Sequence, residues 1–264
     1  MNIRTTSNGT EVVKRDKYQI QVTLVRALSI LDFFASAEKR WQSVKSVSES
    51  TRLPQPTVTR YLKSLQADGY LVFSVDTHKY SLGCGVLTLG YGCHRYGLHG
   101  PKADEALQSL ADTYGVHVSI FEREKNNVVC VRSLHSKTNV VSLQIEKGFS
   151  KPIYSHVGGR VILANLSEVE FRYMTDVVKS DVKSQPRKID WSVTTARAQF
   201  VKKGYVESSW EGHPSLMSVA LPIINENGAK SASLVCSFID GSISTESYRS
   251  MILAMKRITS GLSD

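Results

Sequence analysis

The sequence contains no apolar run of the ~18 residues that a membrane-spanning helix requires, and its first 17 residues hold no stretch resembling a signal-peptide core. The expectation is a cytoplasmic protein with no membrane partner. Its four cysteines, Cys84, Cys93, Cys130 and Cys236, are scattered and form no CxxC pair. That spacing gives neither a disulfide framework nor a zinc site and predicts four small buried thiols. Catalytic signatures are missing too: there is no GxxxxGK(S/T) loop, no GxGxxG after a strand, no HExxH and no GxSxG elbow. His117, His135, His156 and His213 are too dispersed for a metal site, and no acidic pair has a defined spacing. The chain therefore reads as a non-enzyme with no cofactor. Repeats and low-complexity segments are also absent, and the length suits two modest domains or one large one.

What the sequence does have is positive charge, unevenly placed. Residues 1–100 hold 13 Lys and Arg against 7 Asp and Glu, whereas residues 101–264 hold 20 against 17. An excess in the smaller part is a footprint of phosphate binding when a motif lies inside it. One does. Residues 1–19 have no periodic pattern and read as a flexible arm. Leu24, Ala27, Leu28, Leu31, Phe34 and Ala35 then follow helical spacing, and Val44 and Val47 are the inner side of a shorter helix over 43–50. Two prolines in Leu53-Pro54-Gln55-Pro56 end it, pushing Leu53 and Gln55 towards extended backbone.

Pro56 suits the first turn of a third helix, which runs to about Asp68 and closes at Gly69. Its inner face is Val58, Leu62 and Leu65; its outer face is Pro56, Thr59, Arg60 and Lys63, with Thr57 at its start. Tyr70–Phe73 and Lys79–Leu82 are predicted strands around a turn at Val75–His78. Three helices and a hairpin over 20–83 make a winged helix-turn-helix. Its third helix would enter a DNA major groove, where Gln55, Pro56, Thr57, Thr59 and Arg60 meet bases or phosphates. Arg52, Lys63, His78 and Lys79 would hold phosphates. A merely solvated basic face is the plainer reading of the same residues.

Residues 84–100 are predicted to be a linker helix reaching about Tyr96. It is apolar nearly all round at Val86, Leu87, Leu89 and Tyr91, which favours a contact between subunits over core. Gly97-Leu98-His99-Gly100-Pro101 breaks it. Over 101–264, helical patterns at Ala103–Thr113, Val157–Ala164, Thr194–Lys203 and Ser244–Leu262 alternate with strands. The strands are Val116–Phe121, Asn127–Val131, Val140–Ile145, Leu216–Ile224 and Ala232–Phe238, the last two joined across Asn225-Glu226-Asn227-Gly228. This mixture predicts an α+β domain.

From about Val22 to Leu262 the sequence resembles the IclR family of bacterial regulators. The resemblance rests on Leu24-Val25-Arg26-Ala27-Leu28-Ser29-Ile30-Leu31, on Leu53-Pro54-Gln55-Pro56-Thr57-Val58-Thr59-Arg60-Tyr61-Leu62, and on Gly69-Tyr70-Leu71 and Tyr80-Ser81-Leu82-Gly83. Two positions depart from it. The family usually has Gly where Arg52 stands and often Ser or Thr where Pro56 stands. Either Arg52 is held in a costly left-handed conformation or the turn has another shape.

Later segments, Gly148–Tyr154, Val157–Ala164, Gly204–Ser208 and Ser215–Pro222, resemble the family's GAF-like effector-binding domain. The resemblance implies ligand-lining positions at Val157, Gly158, Ser208, Ser218 and Ser237, with Leu143 as an apolar wall. Trp210 either closes this cup or belongs to the core. Bare N–H groups where Val157-Gly158-Gly159 opens a helix would hold a carboxylate; close packing of helix on sheet is the competing account of the glycines. The strand serines also have a local account, satisfying nearby backbone groups. The whole resemblance implies a DNA-binding regulator of a catabolic operon, a dimer or dimer of dimers on a palindromic operator. Its effector would be a small organic acid, aromatic acids included. The competing class is a GAF-like ligand-binding or enzymatic protein whose winged helix is a protein-interaction module.

Overall fold

The computed structural model describes residues 21–93, 101–137, 145–181, 186–210, 213–224 and 231–262, in two compact units, Met1–Cys93 and His94–Asp264. The arm over 1–19 lies outside the described residues. The first unit contains α1 (Val22–Ser36), α2 (Val44–Thr51), α3 (Gln55–Ala67), the antiparallel hairpin β1 (Leu71–Ser74) and β2 (Lys79–Leu82), and α4 (Cys84–Cys93). Ser43 and Ser46 cap α2 reciprocally, each side chain taking the other's backbone N–H. The loop before α2 is tied to the wing by two 2.8 Å hydrogen bonds between the backbones of Gln42 and Tyr80. Ile30, Phe34, Val47, Val58, Leu62, Leu71 and Tyr80 form the core.

Three expectations need correction in this unit. Gln55 is the first helical residue of α3 rather than extended, with Pro54 as N-cap accepting the Val58 N–H at 3.0 Å. A proline disfavours the helical region for its predecessor, but the first turn needs no N–H from Pro56, so the helix starts one residue early. The apolar face of α1 is also displaced: Ile30 and Phe34 are buried, whereas Leu24 and Leu28 are 60% and 51% exposed. The small core meets only the C-terminal half of that helix. Cys84 is exposed, not a buried thiol. Helix α4 carries exposed Leu87, Leu89 and Tyr91; its expected continuation over 94–100 lies outside the described residues.

The second unit runs α5 (Pro101–Tyr114), β3 (His117–Glu124), β4 (Asn127–Leu134), β5 (Ser150–Pro152), α6 (Val157–Ala164), α7 (Glu168–Asp181), α8 (Pro186–Lys203), β6 (Val206–Trp210), β7 (His213–Ile223), β8 (Ala232–Ile239) and α9 (Thr245–Gly261). Pro101 opens α5 instead of only breaking the preceding helix. The antiparallel sheet has the order β5-β4-β3-β8-β7-β6. Alternation along its strands serves two cores. Val118, Val219, Leu221, Leu234 and Cys236 pack with α5 and α9, while Ala220 and Val235 pack with α6, α7 and α8. Helix α7 and strands β5 and β6 had not been anticipated, and α8 starts well before Thr194. The strand expected at Val140–Ile145 falls almost wholly outside the described residues, as does the turn at Asn225–Gly228. Among the described residues, no helix is long and apolar enough to cross a membrane.

Arg52 resolves one of the open alternatives. It caps α2 with φ 57° and ψ 28°, in the left-handed region. That conformation costs a β-carbon-bearing residue roughly 1–2 kcal/mol, part of which Gly returns through its freer unfolded chain. Arg52→Gly should therefore raise the stability of the first unit by about 0.5–1 kcal/mol in a denaturant titration. An unchanged or lower midpoint would mean that Arg52 side-chain contacts outweigh the backbone strain.

Candidate functional site

Helix α3 presents a continuous outer face. Val58 and Leu62 turn inward and are fully buried, which leaves Pro56, Arg60 and Lys63 exposed on the opposite side, with Gln55 exposed at the N-terminal end of the helix. Neither Arg60 nor Lys63 takes part in an ion pair among the described residues, so both cations are available. The helix contains no acidic residue. Arg52 in the turn before it and His78 and Lys79 in the wing are exposed as well. Thr57 and Thr59 are half-buried, and the Thr59 hydroxyl donates back to the Gln55 carbonyl at 2.8 Å. Thr59 thus retains only lone pairs to offer outward.

In the second unit, a cavity of about 310 Å³ lies where α6 approaches β6 and β7. Its wall takes Val157, Ser208, Trp210 and Ser218 from the positions expected of an effector site. Phe149, Lys151, Ser155, His156, Arg160, Ser209 and His213 join them. Gly158 and Ser237 stand behind the wall. The Gly158 N–H donates to His156 Nδ1 at 3.2 Å, and a β-carbon on residue 158 would lie 2.8 Å from Ser233 Oγ and 3.1 Å from Val235 Cγ2. Close packing of helix on sheet is therefore what the structure requires of this glycine. Leu143 lies outside the described residues.

A polar row explains how the serines come together. Cross-strand pairing sets Ser208 opposite Ser218, Ser218 opposite Ser237, and Ser237 opposite His117, all on one sheet face. Trp210 Nε1–H donates to Ser218 Oγ at 2.6 Å, and Ser218 Oγ lies 2.7 Å from Ser237 Oγ. Trp210 is thereby both packed on the core and part of the cavity wall.

The cavity is electropositive. Lys151 and Arg160 line it, and no carboxylate does among the described residues. Arg160 is locked in place, donating to the carbonyls of Tyr154 and Ser155 at 2.9 and 3.0 Å and to Ser208 Oγ at 3.0 Å. Burial, and then the charges of Arg160 and Lys151, push the His156 imidazole down to about 3, so the ring is neutral at physiological pH. His117 on the same sheet face is held at about 4, by burial and then by His135. Sequence reasoning missed Lys151, Arg160 and His156. The signal is present in the sequence, since all three sit inside or beside the matching segments 148–154 and 157–164.

The chain matches two family models, the IclR helix-turn-helix domain over residues 23–74 and the bacterial transcriptional regulator IclR C-terminal domain over residues 101–263. Among known proteins, the Pca regulon regulatory protein of Pseudomonas putida is 26% identical over 222 residues, spanning 80% of this chain and 72% of that one. A crystal structure of an IclR family transcriptional regulator from Brucella abortus superposes with a TM-score of 0.82 at 23% identity, covering 95% of this chain and 94% of the other. An IclR homologue from Microbacterium hydrocarbonoxydans, solved in complex with 4-hydroxybenzoate, gives a TM-score of 0.68 at 18% identity, covering 91% and 97%. At such identities the structural likeness speaks for the fold.

The Trp210–Ser218–Ser237 chain makes a stability prediction. Ser218→Ala strips the acceptor from the Trp210 indole N–H and the partner from the Ser237 hydroxyl, which is 1% exposed. Leaving buried polar groups unmatched costs about 1–3 kcal/mol, and the second unit should lose that much in denaturant unfolding. A variant as stable as wild type would show that the chain does not hold the wall.

Proposed function

The chain belongs to the IclR family of bacterial transcriptional regulators, and from that premise we propose that a small organic acid, bound in the cavity beside α6, controls its binding to a DNA operator. The protein is a helix-turn-helix regulator. The operator is read by the outer face of α3, with Arg60, Thr57 and Gln55 at bases, while Arg52, Lys63, His78 and Lys79 hold phosphates. The observation that carries the acid is the cavity wall, with Lys151 and Arg160 on it and no carboxylate among its described residues. Phe149 and Trp210 give that wall flat apolar surface, which favours a planar or aromatic acid. The 4-hydroxybenzoate held by the Microbacterium homologue of the same fold supports this choice. Its volume lies at the small end of the usual range for ligand pockets, as a small acid requires. The target is a catabolic operon.

The same reading makes the protein a homodimer or dimer of dimers. Val22, Leu24, Val25 and Leu28 on α1 and Leu87, Leu89 and Tyr91 on α4 are all at least half exposed, and apolar residues displayed in this number mark an interaction surface. Paired half-sites about one helical turn apart require such a bridge.

Two variants test these assignments. Duplexes selected from a random pool should bind wild type with an affinity that falls steeply as salt rises. Arg60→Ala should weaken the selected duplex roughly 10- to 100-fold and relax preference at one base position, since a base contact is worth about 1–3 kcal/mol. Full affinity and selectivity in that variant would remove Arg60 from the reading set, and the absence of selective binding by wild type would sink the operator assignment. Leu89→Glu should shift the protein to monomers in sedimentation and weaken duplex binding more than tenfold. A folded Leu89→Glu protein with an unchanged oligomer would count against α4 as the contact.

A further inference from the structure

Helix α6 opens on an imidazole. His156 is its N-cap, and Nδ1 of the ring accepts the Gly158 N–H. A nitrogen that accepts cannot carry the ring proton, so in the neutral imidazole the proton resides on Nε2, which must donate. The ring is fixed: it packs on Phe121 at a tilt of 39° with centroids 4.1 Å apart and meets Trp210 edge-on at 6.2 Å. His156 lines the cavity although it is only 8% exposed, and its buried Nε2 has no hydrogen-bond partner in the protein. Orphaned buried donors are rare and unfavourable in folded proteins. The residue that carries this one lines the same cavity as Lys151 and Arg160. Arg160 cannot substitute for it as a freely oriented donor, because backbone carbonyls and Ser208 already fix its guanidinium.

We infer that His156 relays the N-terminus of α6 to the bound acid: the Gly158 N–H donates to Nδ1, and Nε2–H donates to an oxygen of the ligand's carboxylate. The inference rests on the acid-effector reading above and moves the anion's contact from the helix backbone to a side chain. Hydrogen bonds in series polarise one another, so the ring passes on part of the favourable field of the helix terminus. Lys151 supplies charge from the exposed side, and Phe149 and Trp210 flank a flat ligand. The site therefore takes a planar carboxylate and disfavours the uncharged amide of the same shape.

The test titrates the full-length protein by calorimetry with benzoate, 4-hydroxybenzoate and pyruvate, with benzamide as the uncharged control. For an acid that binds wild type, His156→Asn should bind roughly 10- to 100-fold more weakly. Asn can still cap the Gly158 N–H through its Oδ1 but ends short of the cavity, so the ligand-free melting temperature should stay within a few degrees of wild type. A second measurement needs no variant. In ring-nitrogen NMR spectra of wild type, the His156 Nε2–H should move downfield and exchange more slowly with solvent when that acid is added. Wild-type affinity in His156→Asn, or an unmoved Nε2–H with acid bound, overturns the relay and leaves the acid reading standing. If the variant does not fold, the NMR result decides alone. If none of the acids binds wild type, the acid reading falls and the relay with it.

Discussion

Helix α6 folds back so closely on the turn that leads into it that residue 159 has no room for a side chain; a β-carbon there would run into the Ile153 carbonyl oxygen. Residue 158 is nearly as confined by Ser233 and Val235 of β8. This contact fixes the rest of the second unit's chemistry. It sets the first turn of α6 beside the strands, wedges the His156 ring between Phe121 and Trp210, and turns Arg160 outward to Ser208. Val157, Val161, Ile162 and Leu163 fill the core beneath. Interiors are close-packed and respond to added volume by moving whole elements, so a side chain at either glycine would lift the helix and reshape the cavity together.

The sheet under α6 is unusual in what it places there. Period-two alternation gives one face of β8 to Leu234, Cys236 and Phe238, an ordinary apolar layer under α5 and α9. The opposite face carries Ser233, Val235 and Ser237, and neighbouring strands add Ser218 and His117 in register. Buried hydroxyls contribute little to a core unless they find partners. The Trp210–Ser218–Ser237 chain is such a partnership, and it converts a row of serines into a support for an aromatic wall. Such a face stabilises the core less than an aliphatic layer would.

Much of this was legible because local signals agreed with tertiary demand. The ends of α3 and α9 follow from Gly69 and from Ser244, which caps α9 by accepting the Ser247 N–H. The bounds of α6 follow from its glycines and the polar residue after Ala164. Where the signals were weak, the reading failed for identifiable reasons. Helix α7 has Phe171, Met174 and Val178 at helical spacing and buried, but between them stand Thr175, Asp176 and Val177, which dilute the pattern. On α1 the apolar residues exceed what its small core can cover, so periodicity picked out buried Phe34 but also exposed Leu24 and Leu28, and passed over Ile30. The hydrogen-bonding state of His156, as distinct from its place beside the matching segments, was not legible for a deeper reason. A lone histidine looks the same in sequence whether it is paired, protonated or orphaned, and only the Gly158 N–H on Nδ1 identifies it as a neutral donor.

Two electropositive surfaces thus share one chain, and they differ in physical kind. The cations on α3 and the wing are exposed side chains on water, where charge is screened within about 8–10 Å at physiological salt and binding to a polyanion is driven by counterion release. The cavity beside α6 works differently. There Arg160 is already hydrogen-bonded before any ligand arrives, and the imidazole is neutral and immobile. A preorganised site of this sort loses little side-chain entropy on binding, and its partly enclosed geometry weakens screening. Salt should therefore act strongly on the first surface and weakly on the second. On the proposed reading, ionic strength loosens the grip on DNA while affinity for a small acid stays nearly constant, so the two responses remain separable in a single molecule.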